Sequence, residues 1–292
     1  MKRKSFLTIV MALALAGSAG ILLISCNSEK GKNIGLQLYS IRDSINRDVP
    51  AAIEKVSAMG YTFVEPASYR DGKFYNMEPA AFKALCEANG MYVLSSHTSR
   101  ELPNSENYAE TMEWWDRCID AHIAVGARYI VQPSMGRSAY ASIENLKKWC
   151  DYFNEVGEKC NAKGIRFGYH NHDREFSTVH GDTVMYDFML QNTDPEKVFF
   201  EIDLYWCVVG GADPVDYFNK YPGRFELWHI KDKEEIGASG MMDFESIWAE
   251  REKSGMKYGI VEVERYNFDQ FTSCLKSIDW LNAAEYVVLP EK

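Results

Sequence analysis

Short apolar runs recur along the chain near residues 34–39, 62–66, 91–96, 128–133, 165–170, 198–203, 225–230 and 258–263. Helix-like stretches of roughly ten to twenty residues separate them. Four times such a stretch ends in glycine and an apolar run follows at once, at Gly60, Gly90, Gly126 and Gly164. Glycine just past a helix takes the left-handed conformation without a Cβ clash, so each marks a stop followed by a new strand. Pro50 after Asp48-Val49, and Pro79 after Glu78, suit the first turn of a helix. Eight strands alternating with helices across some 250 residues predict parallel βαβ units closing into a single (β/α)8 barrel of the α/β class, over residues 34–292. A doubly wound open sheet is the alternative, but no GxGxxG follows the first strand.

The first residues change the picture. Lys2, Arg3 and Lys4 precede an apolar run from Phe6 to Ile24, which ends in Leu23-Ile24-Ser25-Cys26 before a polar stretch, Asn27 to Asn33. This resembles the lipobox of bacterial lipoproteins and implies a signal peptide over 1–25, a lipidated Cys26, and a short tether to residue 33. The expected location is the bacterial envelope, facing the periplasm or the cell surface, with acyl chains as the membrane anchor. An uncleaved membrane-spanning segment is the alternative reading of the same run.

Without that leader, 29 basic residues face 42 acidic ones, a formal charge of −13. A field of that sign disfavours nucleic acid and anionic lipid, and it suits neutral sugars and metal cations. The expected partners are therefore a small sugar, the membrane through the lipid, and a second copy of the chain, with nucleic acid excluded. Six cysteines remain after Cys26, with no CxxC. Most are read as buried small hydrophobes. Cys150 and Cys160 share one predicted helix, where ten residues mean roughly 15 Å of rise, too far to bridge.

Candidate chemistry collects where the strands end. The second run ends in Glu65, the third in His97 and the fourth in Gln132. The fifth ends in His170-Asn171-His172, the sixth in Glu201-Ile202-Asp203, the seventh in His229-Ile230-Lys231, and the eighth in Glu262-Val263-Glu264. The carboxyl ends of barrel strands converge on one mouth, so these scattered residues would meet. Alternation along a strand puts Glu201 with Asp203, and His229 with Lys231, on one side. Inward polar pairs are costly to bury unless they bind something. Imidazoles mixed with carboxylates suit one divalent ion of the manganese, cobalt, zinc or iron kind, with magnesium also admissible.

The segments Tyr169-His170-Asn171-His172-Asp173, Asp203-Leu204-Tyr205-Trp206, His229-Ile230-Lys231-Asp232 and Ile260-Val261-Glu262 resemble the sugar phosphate isomerase/epimerase superfamily, the xylose isomerase-like TIM barrels. So does the opening Gly35-Leu36-Gln37-Leu38-Tyr39-Ser40. Members include ketose epimerases, hydroxypyruvate isomerases, keto-inositol dehydratases and a DNA-repair endonuclease. The resemblance implies a metal held by Asp203, His229 and Glu262, with His170, or else His172, standing where the epimerases carry glutamate. That departure breaks the symmetry of a two-glutamate device and is closer to the keto-inositol dehydratases.

The expected chemistry is proton removal next to a carbonyl through an enediolate, with Glu262 as base and His172 and Lys231 as acids or bases. Gln37, Glu65, His97, Gln132, Glu201 and Trp206 are expected to contact substrate, Trp206 as an apolar wall for a sugar ring. The leading reading is an isomerase or epimerase of an unphosphorylated sugar or keto-sugar. A keto-sugar or keto-cyclitol hydratase or dehydratase is the alternative, and a non-catalytic sugar-binding lipoprotein the rival from another class.

Overall fold

A computed structural model describes residues 31–289; the lipobox and Cys26 lie outside the described residues. Eight parallel strands form the sheet: β1 (Ile34–Gln37), β2 (Phe63–Glu65), β3 (Tyr92–Val93), β4 (Tyr129–Gln132), β5 (Arg166–His170), β6 (Val198–Asp203), β7 (Leu227–Ile230) and β8 (Tyr258–Val261). Each strand pairs with its sequence neighbours, and β8 returns to β1. Between β3 and β4 the ladder continues past the short strand. Arg128 N and Tyr129 N donate to Leu94 O, Val131 N donates to Ser96 O, and Thr98 N donates to Val131 O. The ring is therefore closed, a TIM barrel.

Eight principal helices follow the strands: α1 (Val49–Ala58), α2 (Pro79–Ala88), α3 (Tyr108–Val125), α4 (Ile143–Ala162), α5 (Met185–Asn192), α6 (Pro214–Lys220), α7 (Phe244–Ala249) and α8 (Gln270–Ala283). The four glycine stops do what their positions require: Gly60, Gly90, Gly126 and Gly164 have φ of 96°, 74°, 90° and 77°. Asp48 caps α1 and Ser142 caps α4 by accepting from the backbone N–H three residues on.

Inside the barrel, Phe63, Leu94, Tyr129, Val131, Phe199, Leu227 and Ile260 form a buried cluster separate from the larger one between sheet and helices. Two glycines make room for it. A Cβ on Gly35 would fall 2.0 Å from the Phe63 ring, and one on Gly168 would fall 2.5 Å from Phe199. The aromatic rings fill the barrel from below and leave the polar strand ends as the floor of the mouth. All six cysteines among the described residues are buried and unpaired, as small hydrophobes would be.

The mouth is covered unevenly. The segment after β3, from Thr98 to Tyr108, contributes only its first residues, Thr98 and Ser99, to the cavity. The larger wall follows β2, where a small hairpin (Tyr69–Arg70 with Lys73–Phe74) stands at the rim. Its apolar side is pinned: Phe74 is fully buried and stacks on Phe82, and Tyr75 Oη accepts from Ala67 N.

Candidate active site

Strand register sets the site. Gln37 lies beside Glu65, His170 beside Glu201, and Asp203 beside His229. Continuing the alternation, Lys231 and Glu262 follow at the ends of β7 and β8. All of these are buried, and His170 and Glu262 among them line a cavity of about 640 Å³ at the mouth. His97, His170, His172, Glu262 and Glu264 line that cavity, with Tyr39, Tyr69, Arg70, Lys73 and Asn76 on its outer wall.

The side chains form two overlapping groups. In the deeper one, Glu201 Oε2 lies 2.7 Å from His97 Nε2, 3.1 Å from His170 Nδ1 and 3.2 Å from His229 Nε2. Glu65 adjoins it, 2.8 Å from His229 Nε2 and 3.2 Å from His97 Nε2. Gln37 Nε2 donates to Glu65 at 2.7 Å, and Ser95 Oγ donates to its other oxygen. In the shallower group, His229 Nδ1 lies 3.2 Å from Glu262 Oε2. Lys231 Nζ stands 2.9 Å from that same oxygen, 3.0 Å from Glu264 and 3.7 Å from Asp203 Oδ2. Asp203 Oδ1 accepts from Trp206 N at 2.8 Å, starting the short helix Leu204–Val209.

Both sets could hold a metal ion. His97, His170, Glu201 and His229 offer four ligand atoms within 4.8 Å of one another, and so do His170, Asp203, His229 and Glu262. Two buried carboxylate oxygens, Glu201 Oε1 and Asp203 Oδ2, have no hydrogen-bond partner. Orphaned buried oxygens of this kind are expensive unless a cation serves them, so the donor set fits a divalent ion.

Burial and crowding set the charges. Burial, with the Glu65 charge beside it, pushes the Glu201 carboxyl up to about 7. Burial raises Asp203 to about 7 as well, against the pull of Lys231. Burial opposes ionisation of Glu65 too, but the cationic forms of His97 and His229 bring it down to about 2. Glu262 is held well below the usual carboxylate range, despite burial, by Lys231 and His229. Burial pushes the His172 imidazole down, so it is neutral at pH 7.

Several expected residues take other places. Gln132 does not line the cavity, and its amide accepts from Arg100 N and donates to Arg100 O and Ser134 O. Gln37 likewise spends its amide within the protein, on Glu65 and Tyr39 N. Trp206 lies beside the site, its ring 6.0 Å from His172 and 5.3 Å from the Lys231 ammonium. The reading of strand ends did not single out Glu175, which is fully buried and accepts from Tyr140 Oη, Tyr169 Oη and the His172 backbone N–H. Its position three residues after His172, on a short helix, was the available signal. Tyr39, on a single helical turn, Arg70, in the rim hairpin, and Asn76 just after it also line the cavity; each belongs to an element too short for periodicity to point it inward.

The description Xylose isomerase-like TIM barrel fits residues 53–284. The chain belongs to this family. It is 35% identical to a sugar phosphate isomerase/epimerase from Parabacteroides distasonis ATCC 8503, with a TM-score of 0.81 over 88% of this chain and 100% of that one. An inosose dehydratase of Lacticaseibacillus casei is 24% identical over 271 residues, 80% of this chain and 88% of that protein. A D-allulose 3-epimerase from Methylomonas sp., at 16% identity and a TM-score of 0.68 over 86% of this chain and 97% of that one, shares the fold.

Proposed function

We propose that the chain is a metal-dependent lyase that removes a proton next to the carbonyl of an unphosphorylated keto-sugar or keto-cyclitol and expels water from the neighbouring carbon. The observation that carries this reading is the asymmetry of the floor. A two-faced epimerisation calls for matched bases on opposite sides of the substrate carbon. Here the two candidate bases lining the cavity differ in kind, an ionised carboxylate at Glu262 and a neutral imidazole at His172. Similarity to inosose dehydratases supports the same reading.

His170 and His229 belong to both candidate ligand sets, and either set supplies one divalent ion of the manganese, cobalt, zinc, iron or magnesium kind. An ion bound there acts as a Lewis acid toward the substrate carbonyl. Glu262 takes the proton from the adjoining carbon, and Lys231, 2.9 Å away, supplies positive charge where negative charge grows. The C–H electron pair first passes to the carbonyl oxygen as an enolate, which can take the proton back. The pair then returns to form the new C=C bond as the C–O bond beyond it breaks. The hydroxyl leaves as water with a proton from the Lys231 ammonium. An isomerase or epimerase would share the first step and return the proton instead.

The test is turnover of a panel of free and phosphorylated keto-sugars and keto-cyclitols, followed by NMR and mass spectrometry. A product lighter by one water supports the lyase; an equal-mass product supports the isomerase or epimerase; preference for the phosphorylated form defeats the substrate reading. His229→Ala removes one of the two residues common to both ligand sets, so it should strip the ion and abolish turnover. The lipid anchor on Cys26 and an envelope location complete the proposal. Cys26→Ser should abolish partitioning into detergent, and continued partitioning would contradict it.

A further inference from the structure

The cavity is larger than one sugar ring requires. A six-carbon sugar or cyclitol displaces the volume of about six waters, roughly 180 Å³, and an ion with a bound water adds little to that. The mouth offers about 640 Å³. A neighbouring hollow of about 310 Å³ shares Tyr39, Ala67 and Ser68 with it, so the space continues outward past the Tyr39 ring. The imidazoles and the Glu262 carboxylate belong to the strand ends, whereas the outer wall carries tyrosines and small polar groups, Tyr39, Ser68, Tyr69 and Asn76 among them.

That wall is held in shape. Tyr39 N donates to Gln37 Oε1 at 3.0 Å, and the same amide donates to Glu65, which ties the rim to the floor. The Arg42 guanidinium lies over the Tyr39 ring at 4.7 Å and is itself fixed on Tyr266 Oη and Glu264 O. One face of the ring is thus backed by a cation, yet the side chain stays 44% exposed, an aromatic surface set in advance. Opposite the sheet, Tyr75 and Asn76 take φ of 49° and 63°, a conformation that costs a bulky side chain free energy and gathers at ligand clamps. Tyr75 is pinned by Ala67 N on its phenol and by Phe82 against its ring, so the strained turn keeps Asn76 on the cavity wall. Of the two basic residues in the hairpin, Lys73 already has Glu78, 2.8 Å away. A wall with that charge already met suits a neutral, hydroxylated unit better than an anion.

Building on the lyase reading above, we propose that the outer half of the mouth is a second sugar subsite. The substrate is then a keto-sugar in glycosidic linkage to another ring, with Tyr39 as the stacking platform and Ser68 and Asn76 as hydrogen-bonding partners of that second ring. Binding energy gathered on the remote ring would serve to hold the ketone against Glu262, so a substrate cut down to one ring loses rate as well as affinity.

The test compares, on the full chain, the monoketones of glucose, cellobiose and maltose with the carbonyl at matched ring positions. The better two-ring ketone should exceed the one-ring ketone in kcat/KM by ~10-fold or more, the loss expected when a central aromatic contact is missing. Tyr39→Ala should erase most of that ratio, chiefly by raising KM for the two-ring substrate, and Tyr39→Phe, which keeps the ring, should restore it. Equal kcat/KM for both sizes, or a Tyr39→Ala loss that is the same for both, would overturn the subsite and leave the lyase reading standing. Should no ketone turn over, the lyase reading falls, and saturation-transfer NMR with unmodified glucose, cellobiose and maltose decides the subsite. Transfer to both rings of a disaccharide, lost in Tyr39→Ala, would support it; transfer to one ring or to none would overturn it.

Discussion

At the scale of single residues, His122 shows how a histidine can be buried without serving a metal. It lies in the last turn of α3, fully buried between Tyr69 and Phe74, with Nδ1 2.7 Å from Cys118 O and Nε2 3.2 Å from Thr98 Oγ1. The neutral ring satisfies both: Nδ1–H donates to the carbonyl and Nε2 accepts from the hydroxyl. Burial pushes its pKa down to about 4, below the ordinary 6.5. Between those values the unfolded chain binds the extra proton and the folded one does not, so stability rises with pH through the window and is lost as pH falls. Thermal melts from pH 7 to 4 should show a falling midpoint, and His122→Gln should flatten part of that slope. An unchanged slope would mean that the ring is protonated in the fold. A second residue-scale prediction concerns Gly35, whose missing Cβ gives Phe63 its place. Gly35→Ala should destabilise by about 1–3 kcal/mol or more through overpacking, read as a lower urea midpoint.

At the scale of elements, strand positions were legible and loop roles were not. Each of the eight apolar runs contains an observed strand, because a strand buried on both faces writes itself as a continuous apolar stretch. The polar residue closing each run was equally visible, and His170, Glu201, Asp203, His229 and Glu262 do meet. For Gln132, strand parity gives direction but not partners; its amide clamps the backbone at Arg100. Nothing periodic marked the hairpin at 69–74, whose turn residue Asp71 has φ of 50° and whose following residues Tyr75 and Asn76 have φ of 49° and 63°. Gln132→Leu should therefore loosen the segment from 98 to 107 while leaving the sheet intact. Hydrogen exchange should quicken at Arg100 and its neighbours, and protection equal to wild type would show that the clamp is idle.

For the whole molecule, the barrel brings four buried carboxylates (Glu65, Glu201, Asp203, Glu262) to one end, with Lys231 the lysine among them. A native state that binds a divalent ion there is stabilised in proportion to the logarithm of ion over dissociation constant, about 2.7 kcal/mol at a hundredfold excess. Chelation should thus lower the melting temperature by several degrees, with recovery on adding cobalt or zinc; a melt indifferent to both would argue against a bound ion. The central claim is proton abstraction next to a carbonyl by Glu262 with a metal ion present, and solvent isotope exchange reads that step directly. In D₂O, a keto-sugar or keto-cyclitol substrate recovered before full turnover should carry deuterium at the carbon beside its carbonyl. Chelation or Glu262→Gln should suppress the exchange at least ~10²-fold, in line with loss of a general base. Exchange that persists in the Glu262 variant, or product formed from substrate with no solvent label at that carbon, would contradict the account.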